Sequence, residues 1–138
     1  MVDNSLIIHT DGGSRGNPGP AACAFDVEQN GKEIFHQSKF LGTATNNFAE
    51  YSGVINALDW LMNNNIYPQV NFYLDSELVV RQINGIYKVK DENLKKLFLE
   101  VLTKIKEAKL KIIFRHVPRE ENSRADLLVN QELDSKLL

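Results

Sequence analysis

The chain has 138 residues with 43% apolar content, enough to bury one core, and a formal net charge of -2. Its only cysteine, Cys23, excludes an internal disulfide and a thiolate zinc site, and no apolar run approaches the ~20 residues of a membrane helix. The opening Met1-Val2-Asp3-Asn4-Ser5 lacks the basic and apolar regions of a secretory signal, so one cytoplasmic, monomeric domain over residues 1–138 is the expectation.

Leu6, Ile7 and Ile8 form a short apolar run ending in Thr10-Asp11-Gly12-Gly13, the pattern of a buried strand entering a turn that continues from Ser14 to Pro20. Ala21 to Val27 and Glu33 to Leu41 predict two more strands. Between them Gln29-Asn30-Gly31-Lys32 holds an Asn-Gly pair, which favours a hairpin turn. From Asn46 to Asn65 the period changes, because Ala49, Val54, Ala57, Leu58, Leu61 and Met62 recur at the steps of an amphipathic helix. Trp60, among Leu58 and Leu61, reads as core or core edge. Val70 to Leu74 is a short strand reaching Asp75, and Ser76 can cap a helix through Leu78, Val79 and Ile83 to Gly85. Leu94, Leu97, Phe98, Val101, Leu102 and Ile105 carry another helix, Leu110 to Val117 a fifth strand, and Ser123 to Leu133 a last helix. The order βββαβααβα is that of an α/β fold. Strands before and after the first helix pair in parallel, so a five-stranded mixed sheet flanked by helices is expected.

The small net charge hides a polarity along the chain. Residues 1–80 hold three basic and nine acidic residues, whereas residues 81–124 hold twelve basic and six acidic ones. An acidic first half and a basic second half suit an enzyme whose carboxylates hold cations while another surface meets phosphate, although a lysine-rich solvated helix face gives the same count.

Four acidic residues fall at informative places. Asp11 and Asp75 are read at the ends of the first and fourth strands, Glu50 in the first turn of the first helix, and Asp126 near the start of the last helix. Singly, each has a structural explanation as a turn, cap or helix-dipole residue. Ligands of open α/β sheets gather at the carboxyl ends of strands, where carboxylates that share a site repel one another unless a cation sits among them. Oxygen donors without cysteine suit Mg²⁺ or Mn²⁺.

The strings around them are Thr10-Asp11-Gly12-Gly13 with Gly16-Asn17-Pro18-Gly19-Pro20, Asn46-Asn47 with Ala49-Glu50-Tyr51, Leu74-Asp75-Ser76, and Asn122 with Ala125-Asp126. In this order and spacing they resemble type 1 ribonuclease H, over nearly the whole chain from Leu6 to Leu133. The resemblance implies the ribonuclease H-like fold and cleavage of the RNA strand of RNA/DNA hybrids, leaving a 5'-phosphate and a 3'-hydroxyl. It implies that Asp11, Glu50, Asp75 and Asp126 are catalytic and hold two Mg²⁺ ions at the scissile phosphate, with Mn²⁺ as a possible substitute. On this resemblance one ion would activate the attacking water and the other would stabilise the leaving 3'-oxygen.

By the same resemblance Asn17, Asn46 and Asn47 contact the hybrid, where uncharged groups can read a 2'-hydroxyl in a wide minor groove. His116 matches in spacing a family histidine that assists leaving-group departure or product release. Here Val117-Pro118-Arg119-Glu120-Glu121 replaces the expected Gly-rich stretch, so Arg119 is the rival candidate and a structural histidine the third reading. The basic, tryptophan-containing handle of some members is absent. Lys88 and Lys90, beside Tyr87, are candidate substitutes for binding the hybrid, and modest affinity is expected. Two alternatives stay open: a related ribonuclease H-like nuclease of different specificity, and a binding module without catalysis.

Overall fold

The computed structural model describes residues 5–64 and 69–137; the opening residues 1–4 and the expected helix end at Asn65 lie outside them. Five strands form one sheet: β1 Leu6–Ser14, β2 Gly19–Gln29, β3 Lys32–Ala44, β4 Gln69–Leu74 and β5 Lys111–His116. The helices are α1 Asn46–Met62, α2 Glu77–Ile83, α3 Glu92–Ala108 and α4 Ser123–Lys136, with a single 3-10 turn at Arg119–Asn122 before α4. The mixed sheet and the element order are those expected from the pattern of residues.

Strand order is β3-β2-β1-β4-β5. The first three strands pair antiparallel as a meander, and the hairpin between β2 and β3 turns at Asn30 and Gly31, both with positive φ (54° and 78°), as an Asn-Gly turn requires. β4 crosses over to pair in parallel with β1, and β5 in parallel with β4. This crossover places two carboxylates side by side. In the β1–β4 register His9 stands opposite Tyr73, so two positions further along, past the end of β4, Asp75 comes level with Asp11.

One face of the sheet buries Leu6, Ile8, Val70, Phe72 and Leu74 against Val54, Leu58 and Leu61 of α1, Val79 of α2 and Val101 of α3. Each such side chain contributes about 1.5 to 3 kcal/mol when fully buried. Trp60 packs at the edge of this core, stacked on Phe35 at 5.3 Å. The opposite face is smaller: Ala22 and Ala24 meet Leu128, Val129 and Leu133 of α4. Cys23 is buried, and burial pushes its thiol up to about 12, so it behaves as a small apolar residue. Among the described residues no helix is long and apolar enough to cross a membrane.

Two boundaries differ from the sequence reading in ways that matter for the site. β1 does not stop at Asp11; Gly12, Gly13 and Ser14 continue the ladder opposite Cys23, Ala22 and Ala21. Asp11 is therefore an interior strand residue. Gly12 is tolerated there because α1 approaches so closely that a Cβ on it would overlap the Ala49 carbonyl. The second difference is Glu50. Thr45 caps α1, accepting from Phe48 N at 3.1 Å, so Glu50 lies beyond the first turn and faces inward at 7% exposure. A solvated charge at a helix start is thereby ruled out for it.

Candidate active site

The glycine at position 12 decides the centre of the site, because the close approach it permits lays Glu50 directly over β1. Gly12 N donates to Glu50 Oε1 at 3.3 Å. Asp11 comes from the interior of β1, Glu50 from α1, and Asp75 from the junction of β4 and α2, where Ser76 caps the helix by accepting from Val79 N at 3.3 Å. Each of the three offers a carboxylate oxygen, and these atoms all lie within 4.8 Å of one another. They sit in a cleft of about 420 Å³ that is also lined by Ser14, Arg15, Asn46, Asn47, Ser76 and Arg119. Asp126, in the first turn of α4, lines the same cleft from the other side of the sheet but is not part of the tight triad.

Removal from water dominates the electrostatics. Burial is the main cause that pushes Asp11 up to about 7; the adjoining Glu50 carboxyl offsets part of it, and the charges of Asp75 and Asp126 reinforce it. Glu50 is pushed well above the ordinary carboxylate range, first by burial and then by the charge of Asp11. Asp75 is also raised by burial, but Arg119 and Asn122 hold it back. Glu50 Oε2 is buried with no hydrogen-bond partner. A triad of oxygen donors that resists ionisation by itself, with one oxygen orphaned inside it, is chemically fitted to a hard divalent cation.

A model of the family described as reverse transcriptase-like matches residues 10–132. The structure of LC11-RNase H1, isolated from compost by a metagenomic approach, is 42% identical, covers 98% of this chain and 99% of its own, and superposes with a TM-score of 0.93. RNase H1 from the halophilic archaeon Halobacterium salinarum is 32% identical over 95% of this chain and 98% of its own, with a TM-score of 0.89. The chain belongs to the type 1 ribonuclease H family. A longer relative, the bifunctional protein Rv2228c of Mycobacterium tuberculosis, is 36% identical over 132 residues, of which this chain spans only 36%. The chain likewise spans 62% of the curated ribonuclease HI of Halobacterium salinarum, at 37% identity.

The structure distributes the remaining candidates of this ribonuclease H domain unevenly. Asn46 and Asn47 line the carboxylate cleft, while Asn17 lies in an adjoining, more apolar groove that meets the first at Asn47. Asn17 Oδ1 accepts from Asn46 N at 2.9 Å and Asn46 Oδ1 accepts from Ser14 N at 2.9 Å, so both amides also hold the β1–α1 junction together. Arg119 lies in the cleft wall, its Nε 3.8 Å from Asp75 Oδ2, with a largely exposed side chain. His116 is exposed at the end of β5, level with Leu74, and is not among the residues lining the cleft. Lys88 and Lys90 are exposed on the segment between α2 and α3, also outside the cleft.

Asn122 belongs to the motif before Asp126, but its work is visible only in three dimensions. At 1% exposure its Nδ2 donates to Thr10 O at 2.9 Å, tying the 3-10 turn to β1 next to Asp11, and its amide helps hold down the Asp75 carboxyl. Arg15 is a second omission, lining the cleft while its Nη2 reaches Asp134 at 2.7 Å. Neither residue stands out by hydrophobic period, since a lone polar residue in a loop carries no such signal.

Proposed function

We propose that this chain is an endoribonuclease that cuts the RNA strand of RNA/DNA hybrids, with Asp11, Glu50, Asp75 and Asp126 as metal-holding residues and a 5'-phosphate and a 3'-hydroxyl as the new ends. The observation that carries this reading is the meeting of Asp11, Glu50 and Asp75 from three separate elements within 4.8 Å, in an open cleft. LC11-RNase H1, 42% identical to this chain, has been solved in complex with an RNA/DNA hybrid and superposes with a TM-score of 0.91.

The oxygen-only donor set favours Mg²⁺, with Mn²⁺ as a substitute. When bound, such ions supply water activation and charge stabilisation at the scissile phosphate. The chain's own residues do the rest. Glu50 and Asp11 would hold the cation, whose positive charge would offset the burial and mutual repulsion that raise both carboxyls. Gly12 N holds Glu50 through Oε1, and Asn122 fixes the Thr10 carbonyl next to Asp11. Asn46 and Asn47 line the cleft and Asn17 the adjoining groove, which suits them to offer uncharged donors and acceptors to a 2'-hydroxyl. Arg119 adds a cation at the cleft wall beside Asp75, suited to a phosphate oxygen.

The deciding experiment is cleavage of a labelled hybrid with and without Mg²⁺, alongside Asp75→Asn. That substitution removes charge from the cation site and hardly changes volume, so turnover should fall below a few per cent of wild type with thermal unfolding and hybrid binding largely kept. Wild-type cleavage undiminished in EDTA, or an active Asp75→Asn, refutes the assignment. Binding without any cleavage would point to a non-catalytic module.

A further inference from the structure

A second group of metal-compatible side chains lies on the same face of β1 as Asp11, two residues upstream. His9 of β1 stands directly opposite Asp26 of β2, and Glu28 is two residues further along β2 on the same face. One ligand atom from each of the three lies within 4.8 Å of the other two. Asp26 is fully buried, at 0% exposure; its Oδ2 faces His9 Nδ1 at 3.4 Å without a well-formed hydrogen bond, and its Oδ1 has no hydrogen-bond partner. A buried carboxylate left in this state carries a large desolvation cost unless a cation compensates it.

The neighbouring cations compensate it only in part: His9 faces one carboxylate oxygen at 3.4 Å, and Arg124 acts on Asp26 without a direct contact. Arg124 is engaged by Glu33, at 2.8 Å from Nε to Oε1, and His36 Nδ1 is 3.0 Å from Glu33 Oε2. The other charged groups close to His9 are acidic, Glu28 and Glu121. His9 Nδ1 and Asp26 Oδ2 are 3.4 Å apart. That is long for a hydrogen bond between charged partners, but it equals the ~3.4 Å edge of a tetrahedron whose metal–ligand bonds are ~2.1 Å. The Tyr73 ring packs edge-on against the imidazole at 5.4 Å and fixes its plane, while the partly exposed Glu28 leaves a way in for an ion and a water ligand.

We infer that His9, Asp26 and Glu28 form a second metal site, which takes a divalent transition-metal ion of the zinc class and clamps β1 to β2 beside the catalytic carboxylates. One imidazole and two carboxylates are a zinc-type ligand set, whereas the Asp11–Glu50–Asp75 triad offers oxygen alone. The inference does not depend on the proposed ribonuclease activity, and its test reads no turnover.

The test uses the full chain freed of metal with a chelator and then titrated with Co²⁺ or Zn²⁺. A four-coordinate, imidazole-containing Co²⁺ site gives an intense visible absorption that an octahedral oxygen site lacks. The band should appear in wild type and in Asp75→Asn, and should vanish in His9→Gln and Asp26→Asn. In the Asp75→Asn background, which disables the catalytic cation site, Zn²⁺ at about a hundredfold excess over its dissociation constant should raise the Tm by about 5 to 10 °C, and this rise should disappear when His9→Gln is added. Glu28→Gln, at a partly exposed position that does not endanger folding, should weaken Zn²⁺ binding by at least tenfold. No band in wild type, a band that survives in His9→Gln, or a Tm rise that survives His9→Gln in the Asp75→Asn background overturns the inference. So does a band that is lost in Asp75→Asn instead. A wild type that ignores Zn²⁺ while His9→Gln lowers Tm in chelator would show a plain ion pair and also overturn it.

Discussion

Replacing Asp11 by Asn should make the metal-free protein more stable while destroying its activity, and the effect should depend on pH in one direction. Burial pushes Asp11 from 3.8 up to about 7 in the folded state. Below about pH 4 the carboxyl is protonated in both folded and unfolded chains and costs nothing. Between about pH 4 and 7 the unfolded chain ionises first, so stability falls as pH rises; above about 7 the whole penalty is present. At 1.36 kcal/mol per unit, a rise of about three units amounts to about 4 kcal/mol. An unfolding entropy near 0.3 kcal/mol/K for a chain of this length turns that into a Tm gain on the order of 10 °C. The assay is thermal unfolding by circular dichroism in EDTA at pH 8 and pH 4, repeated in Mg²⁺. Asp11→Asn should unfold well above wild type at pH 8 in EDTA and converge with it at pH 4. Mg²⁺ should raise wild type and leave the variant nearly unmoved. An Asn variant no more stable than wild type at pH 8, or equally favoured at pH 4, would refute the claim that an uncompensated charge is stored here for a cation.

Gly12→Ala places a methyl against the Ala49 carbonyl and must push α1 off β1, so a loss of about 3 kcal/mol in denaturant unfolding is expected, with cleavage lost at temperatures where the variant is still folded. Arg119→Ala should lower kcat more than it raises KM, because its guanidinium lies in the cleft 3.8 Å from Asp75, whereas His116→Ala should leave kcat near wild type, since His116 does not line the cleft. A kcat fall in His116→Ala together with loss of a pH dependence near neutrality would reverse that ordering. Lys88→Ala combined with Lys90→Ala should raise KM and flatten the salt slope of hybrid binding by up to about 2, at unchanged kcat. An unchanged slope would remove both lysines from the hybrid interface.

The order of elements, the hairpin at Asn30-Gly31 and the apolar face of α1 were legible in the sequence because each is a local matter of period or turn chemistry. The four carboxylates were legible for a different reason: each lies inside a short motif, and the motifs together resemble a family. What the linear pattern did not contain is pairing. Nothing in Val70–Leu74 says that β4 crosses to β1 rather than to another strand, yet that choice brings Asp75 level with Asp11. Glycines at 12 and 13 read as a turn because propensity disfavours them in strands, but the ladder to β2 and the close approach of α1 overrode propensity. Glu50 looked like a favourable charge near a helix start until packing turned it inward. His9, Asp26 and Glu28 followed the polar alternation of ordinary strands, with no motif to single them out. Only the antiparallel register, joining residues far apart in the chain, puts the imidazole and two carboxylates on one face and leaves the buried Asp26 carboxylate without a well-formed hydrogen bond.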